Sequence, residues 1–299
     1  MADVAVILPY YGVFFLLAIP LLGLRPRVLG SLAVALAVVV PIFLLATGLP
    51  RYDLPDNNLT FGAVLHHPFE RAVQLLFTGD YPAAAWMVYI CAGLAVGRLN
   101  LASIRVAASL VGGGLALAIG SWSASSVLLF RMGGLEQLQD AAPGELSWAE
   151  AQNAILWDPS FTSSWWWLAV RAPYSVTPIT LLGTLGVAMA VLGAVLLLTR
   201  IPGMHRLLTP VVAAGTMTLT LYSAHAVVLA TGVLGGEPRV LFVLLVAAVL
   251  TFGVVWRGRR GSGPLEAVVT RAANAARDTV TSLACVEDER GSPDGTRPR

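Results

Sequence analysis

Long uncharged stretches constrain this chain more than any other feature. A helix that crosses a bilayer needs about 20 mostly apolar residues. Seven runs reach or approach that length: Val4–Leu24, Val28–Pro50, Tyr81–Gly97, Val106–Phe130, Ala172–Thr199, Leu207–Gly236 and Val240–Trp256. The third and seventh are short and borrow flanking residues to span. Charged residues make up 12% of the 299 and hydrophobic ones 57%, with a mean hydropathy of +0.75. A soluble domain carries about twice that charge fraction. In hydrocarbon the backbone must satisfy its own hydrogen bonds, so the runs read as helices. The expected fold class is all-α: a polytopic transmembrane helix bundle of about seven spans.

The arginines orient it. Arg25 and Arg27 occupy the first link, Arg98 and Arg105 the third, and Arg200 and Arg206 the fifth. Arg257, Arg259 and Arg260 follow the last run. In the second link Asp53, Asp56, Glu70 and Asp80 outweigh Arg51 and Arg71. In the fourth Glu136, Asp140, Glu145, Glu150 and Asp158 outweigh Arg131 and Arg171, and the sixth balances Glu237 with Arg239. The positive-inside rule makes the odd links and the C-terminus cytoplasmic and puts the N-terminus outside. MADV has no basic n-region, so the first run is not a secretory signal. A short acidic N-terminus placed outside is unusual, and it is what a chain starting partway through a longer bundle would show.

The domain reading follows. Residues 1–260 form the transmembrane bundle, with outer loops 51–80 and 131–171. The first loop holds His66-His67-Pro68 and a weakly amphipathic FERAVQLLF; the second holds two candidate short helices and the Trp165–Trp167 triplet, placed at the membrane interface. Residues 261–286 form a cytoplasmic amphipathic helix, with apolar residues recurring every three or four positions. Residues 287–299 are a polar tail expected to be disordered.

Several functions drop out. The formal charge of +2, with no basic cluster interleaved with aromatics, gives no case for nucleic acid. Cys91 in a run and Cys285 in the tail should not meet, so neither a disulfide framework nor a metal site is expected. Adjacent His66 and His67 point apart and chelate poorly. His205 beside Arg206 belongs to the positive-inside signal.

Two groups stand out as cavity-lining candidates. Thr218, Tyr222 and His225, spaced by four and three, form one stripe on a helix. A polar stripe inside a membrane helix faces a wet cavity or bridges helices through hydrogen bonds, and spacing leaves both open. Trp86 and Tyr89 share a face with Gly93 and Gly97, a G-x-x-x-G that permits close helix packing. Asp80 and Tyr81 lie at the outer end of that run. Asp80 is expected to cap it and Pro82 to suit its first turn, with a pocket-facing role as the alternative.

Five phrases occur in a fixed order: ILPYYGVFFLLAIPLLGLRPR, TGDYPAAAWMVYICAGLAVGRLNL, TPITLLGTLGVAMAVLGAVLLL, GTMTLTLYSAHAVVL and GPLEAVVTRA. Together they resemble the C-terminal two-thirds of bacterial YeiB-type membrane proteins, relatives of heparan-alpha-glucosaminide N-acetyltransferase. The absence of lysine, all 19 basic residues being Arg, looks actinobacterial. The resemblance implies a bacterial cytoplasmic (inner) membrane protein with an acyltransferase-like bundle. In that superfamily an acyl group passes from a cytoplasmic acyl-CoA to a sugar or similar acceptor outside, with no tightly bound cofactor. Gly263, Pro264, Leu265 and Glu266 would be the family's cytoplasmic motif. The family carries earlier helices, and the histidine proposed for acyl transfer lies there. Where the family often reads His-Ser-Gly-Thr, this chain reads Tyr174-Ser175-Val176-Thr177. No catalytic residue is therefore assigned, and activity is expected only where those helices or a membrane partner subunit supply the missing part. The alternative reading is a non-enzymatic small-molecule transporter or an accessory subunit in envelope assembly.

Overall fold

A computed structural model describes residues 7–49, 61–141, 164–173, 175–233 and 236–291. Among them every regular element is helical. The described residues form two compact units, divided between Ile201 and Pro202.

The first unit begins with α1 (Leu8–Ala18), which tightens into a 3₁₀ turn at Ile19–Gly23, and α2 (Pro26–Thr47). Short helices α3 (Phe61–His66) and α4 (Pro68–Val73) follow, and α4 widens into a π-helical turn at Gln74–Thr78 closed by Gly79 N–H on the Gln74 carbonyl, 2.8 Å. Next come α5 (Ala83–Gly97), α6 (Ile104–Phe130), α7 (Gly134–Asp140), a 3₁₀ turn at Trp165–Ala169 and α8 (Pro178–Leu198). The second unit holds α9 (Met204–Gly215), α10 (Thr218–Ala230), α11 (Pro238–Arg260) and α12 (Pro264–Gly291).

Helices α2, α6, α8 and α11, of 22, 27, 21 and 23 residues, are long and apolar enough to cross a membrane. At about 1.5 Å per residue each outreaches a hydrocarbon core of roughly 30 Å. The α9–α10 pair qualifies as a fifth span if taken together, but it bends by 68°. The first and third apolar runs appear as shorter helices, Leu8–Gly23 and Ala83–Gly97. Four to five helices capable of spanning make this a membrane protein.

The bend interrupts what reads in sequence as one run, Leu207–Gly236. Pro210 removes a backbone donor inside α9. At the junction Thr216 turns its hydroxyl back on the Ala213 carbonyl, 2.8 Å, and its N–H reaches Val212 and Ala213. Met217 then leaves helical geometry at φ −132°, ψ 32°, so α10 starts afresh with unbonded first-turn amides.

The tightest contact in the first unit is α6 against α8. A Cβ on Gly114 would lie 2.5 Å from the Gly186 carbonyl oxygen, and one on Gly193 would lie 2.6 Å from the Ala107 carbonyl oxygen. Gly183, Gly186, Ala190 and Gly193 are all buried on one face of α8, so small residues bring the two backbones together. Gly93 and Gly97, whose spacing also permits such packing, face open space instead: a Cβ at either meets nothing within 4 Å. On the other side, α2 packs Ala33, Ala37 and Val40 against α5.

The two ends of this unit differ. Arg98 donates to the Leu22 carbonyl, and Arg200 reaches the Ala102 carbonyl at 2.7 Å, stitching together the turns that carry the arginines. At the opposite end Leu129, Leu135, Leu138 and Trp167 form a small core over the end of α6. The tryptophan triplet divides there: Trp165 is 61% exposed while Trp167 is 4% exposed.

Helix α12 continues past Glu287 to Gly291, beyond the expected start of the polar tail. Residues 292–299 lie outside the described residues, as do 51–60 and 142–163 of the outer loops.

Candidate functional site

In the second unit the site grows from the first turn of α10. Its free amides need acceptors, and Glu266 supplies them. Thr220 N–H donates to Glu266 Oε1 at 3.0 Å, and the Thr220 hydroxyl donates to Glu266 Oε2. The same Thr220 oxygen accepts from Leu265 N–H at 3.1 Å, in the first turn of α12. Each helix thus caps the other.

The Gly-Pro-Leu-Glu sequence suits this lock residue by residue. A side chain at Gly263 would collide with the Glu266 carboxylate and come within 2.9 Å of Thr220 Oγ1. Pro264 starts α12 with φ already set. Glu266 falls three residues after Gly263, where a carboxylate meets first-turn donors. Burial pushes its carboxyl up, but the Thr220 hydroxyl and amide, its own amide and that of Leu219 outweigh this and hold it below its ordinary value. The group is an anion on the positive ends of α10 and α12.

Above the lock, Thr220, Leu221, Ala224, His225 and Val228 of α10 face Leu245, Ala248, Val249 and Phe252 of α11 across an open groove of about 250 Å³. His225 is half-buried on its wall, with the Tyr222 ring 6.4 Å away at 50°. Of the candidate stripe, His225 lines the groove, Tyr222 packs beside it, and Thr218 is exposed. Thr220, one turn before Ala224, takes the place given to Thr218. The spacing pointed to 218–222–225; the signal that could have found Thr220 is its position in a first turn, opposite a carboxylate in a first turn of the next amphipathic helix.

In the first unit Tyr81, Trp86 and Tyr89 do come together. Tyr81 meets Trp86 edge-on at 5.6 Å, and Trp86 meets Tyr89 at 5.5 Å. Tyr10 and Phe14 of α1 complete the cluster, at 5.5 Å from Tyr81 and 5.7 Å from Trp86. Asp80 is exposed at its edge and does not cap α5, because Pro82 itself is the N-cap and no side chain bonds there. Sequence reasoning missed Arg71, treated only as a loop charge. It is 2% exposed, with Nη1 on Gln74 Oε1 at 2.9 Å in the π-helical turn.

Tyr174 lies outside the described residues. Its neighbours serve α8. Thr177 accepts from Thr180 N–H at 3.1 Å and donates to the Val170 carbonyl at 2.7 Å, and Ser175 donates to Ala172 at 2.8 Å. This is a buried helix cap. His66 and His67 are exposed, with His67 Nδ1 3.9 Å from Glu70. Among the described residues no three His, Cys, Asp or Glu side chains gather as a metal site. No protein-family model, curated protein or solved structure matches the chain.

Proposed function

We propose that the chain is a multi-pass protein of the bacterial cytoplasmic membrane that acts in transmembrane acyl transfer of the YeiB type. An acyl group would leave the sulfur of acyl-CoA, freeing the thiol, and end on a hydroxyl or amine of an envelope sugar or similar acceptor. The chain crosses seven times, counting the bent α9–α10 pair and the two short apolar helices, with its N-terminus outside and α12 in the cytoplasm. The shared end of Arg25, Arg27, Arg98, Arg105 and Arg200 in the first unit supports that sidedness.

One observation carries the reading. The phrase around Thr220 and the Gly-Pro-Leu-Glu motif, which belong to separate parts of the resemblance, interlock at the foot of a groove that presents His225. An imidazole offers one donor and one acceptor nitrogen to a polar acceptor, and the apolar walls suit an acyl group.

Because the resemblance puts the transfer histidine in helices that this chain does not carry, the test is acyl transfer by membranes that hold the chain together with a partner supplying those helices, with radiolabelled acetyl-CoA on the cytoplasmic side and label counted in outer-side glycoconjugates. His225→Leu should abolish transfer and leave the melting temperature within a degree or two of wild type. A lower melting temperature with undiminished transfer would make His225 a bridge between helices. Uptake of unmodified solute without transfer would favour the transporter reading.

A further inference from the structure

The groove between α5 and α8 has a different character. α5 commits Ala85, Val88 and Cys91 to the core beside α2, and α8 commits its glycines to α6. Between them lies an open channel of about 230 Å³ running from Tyr89 past Gly93 and Gly97 to Leu101, with Ala188 and Leu192 as its other wall. That is below the roughly 300–1,000 Å³ of a site that encloses a whole drug-sized ligand. It takes a chain segment.

Two further observations say of what kind. Gly93 and Gly97 stand one turn apart with open space where their side chains would be, so the missing side chains leave room and bring no helix of this unit close. At the Leu101 end the guanidinium of Arg200 sits on the rim, with Nη2 3.5 Å from the Leu101 carbonyl and 2.7 Å from that of Ala102. The turns at that end carry Arg25, Arg27, Arg98, Arg105 and Arg200, with no carboxylate in 19–28, 97–105 or 198–201. A guanidinium has five donors; Arg200 holds its head in place with Nε on the Leu196 carbonyl at 3.2 Å and Nη2 on the turn carbonyls, which leaves the Nη1 side to meet a phosphate. An uncharged slot ending at clustered arginines is complementary to an amphiphile with an anionic head and a hydrocarbon tail.

We propose that this groove holds one acyl chain of an anionic phospholipid, its phosphate at the Arg200 rim. It shares no lining residue with the His225 groove and does not depend on the transfer reaction.

The full-length protein, purified in mild detergent and exchanged into mixed micelles, is offered dioleoyl phosphatidylglycerol or dioleoyl phosphatidylcholine, and retained lipid is counted by native mass spectrometry. Wild type should retain one phosphatidylglycerol with at least tenfold preference. Gly93→Leu puts a side chain into the slot from a position whose Cβ would meet nothing within 4 Å, and should cut retention of either lipid at least tenfold at an unchanged melting temperature; Gly97→Leu is the second variant should the first not fold. Arg200→Gln should erase the headgroup preference and keep chain binding, and Arg200→Lys should restore most of it. Equal retention of both lipids by wild type, or undiminished retention by a folded Gly93→Leu or Gly97→Leu protein, overturns the proposal. So does a shift from dimer to monomer on Gly93→Leu with lipid retention intact, which would assign the groove to a second copy of the chain.

Discussion

Glu266→Ala is the most informative single perturbation of the second unit. It removes both oxygens that receive the Thr220 amide and hydroxyl and leaves the start of α10 without its acceptor. Hydrogen bonds to a charged group contribute about 1.5–3 kcal/mol each when buried, but this carboxylate is partly exposed, and solvent screening brings the expected loss to about 1–3 kcal/mol. At about 1.4 kcal/mol per tenfold, the amides of 218–222 and 263–267 should exchange with solvent roughly 5- to 150-fold faster, read by hydrogen–deuterium exchange on the intact chain. Thr220→Val should produce a similar local opening, because it deprives Leu265 N–H of its acceptor and Glu266 Oε2 of the hydroxyl donor, leaving only backbone amides on the carboxylate. The double variant should be no worse than either alone by more than about 0.5 kcal/mol, since both changes break one lock. The sign of the pH effect follows from the depressed carboxyl. Its contribution is complete above the ordinary value of 4.5 and is lost as pH falls below 4.5 through the lowered folded-state value. Additive single effects, or protection at 218–222 insensitive to Glu266→Ala, would refute the reasoning.

Other consequences are as direct. A cysteine introduced in 131–141 should be labelled by impermeant maleimide on intact cells, and one in 98–105 should be protected; the reverse pattern overturns the orientation. Gly186→Val should fail to yield detergent-stable protein, because a Cβ there would lie 2.7 Å from the Ala118 amide and the Gly114 carbonyl oxygen, and overpacking costs about 1–3 kcal/mol or more. Gly93→Ala, read by the same thermal melt, should be neutral within about 0.5 kcal/mol. Deleting Glu287–Arg299 should leave membrane insertion and the melting temperature unchanged, since a polar segment without apolar periodicity buries little.

The sequence made the helices legible because hydrophobic length is a one-dimensional property. Each of the seven runs corresponds to described helix, and the positions of Arg98 and Arg200 anticipated turns that the structure draws to one end. Which small residues pack was not legible. Gly93–Gly97 has the spacing of a packing motif and faces open space, whereas Gly186 and Gly193, seven apart, press on α6. Spacing shows that two residues share a face; it does not show what that face meets. Arg71 was misplaced for the same reason. A charge in a link reads as solvated until the fold shows it 2% exposed against a π-helical turn. The candidate stripe at 218–222–225 was half legible: helical periodicity grouped Tyr222 with His225, but only the break at Met217 makes Thr220 a first-turn residue with an amide to offer.

That break also explains the Gly-Pro-Leu-Glu turn that follows α11. In hydrocarbon an unsatisfied backbone group costs several kcal/mol, so an apolar helix pair can bend by 68° there only where something replaces the lost bonds. Thr216 closes the end of α9 from within, through its hydroxyl on Ala213. The start of α10 has no such local remedy, because Met217 and Thr218 offer no side-chain cap. Its acceptor arrives 46 residues later in the chain, from Glu266. Gly263 keeps the approach open, and Trp256 fixes the preceding turn by donating Nε1–H to the Ser262 carbonyl at 3.0 Å. The broken helix and the Gly-Pro-Leu-Glu turn are therefore one device. The break aims α10 so that Ala224, His225 and Val228 line the α11 groove, and the Glu266 anion makes the break tolerable. A change at either end of the lock should be felt at the His225 wall before it is felt in the rest of the unit.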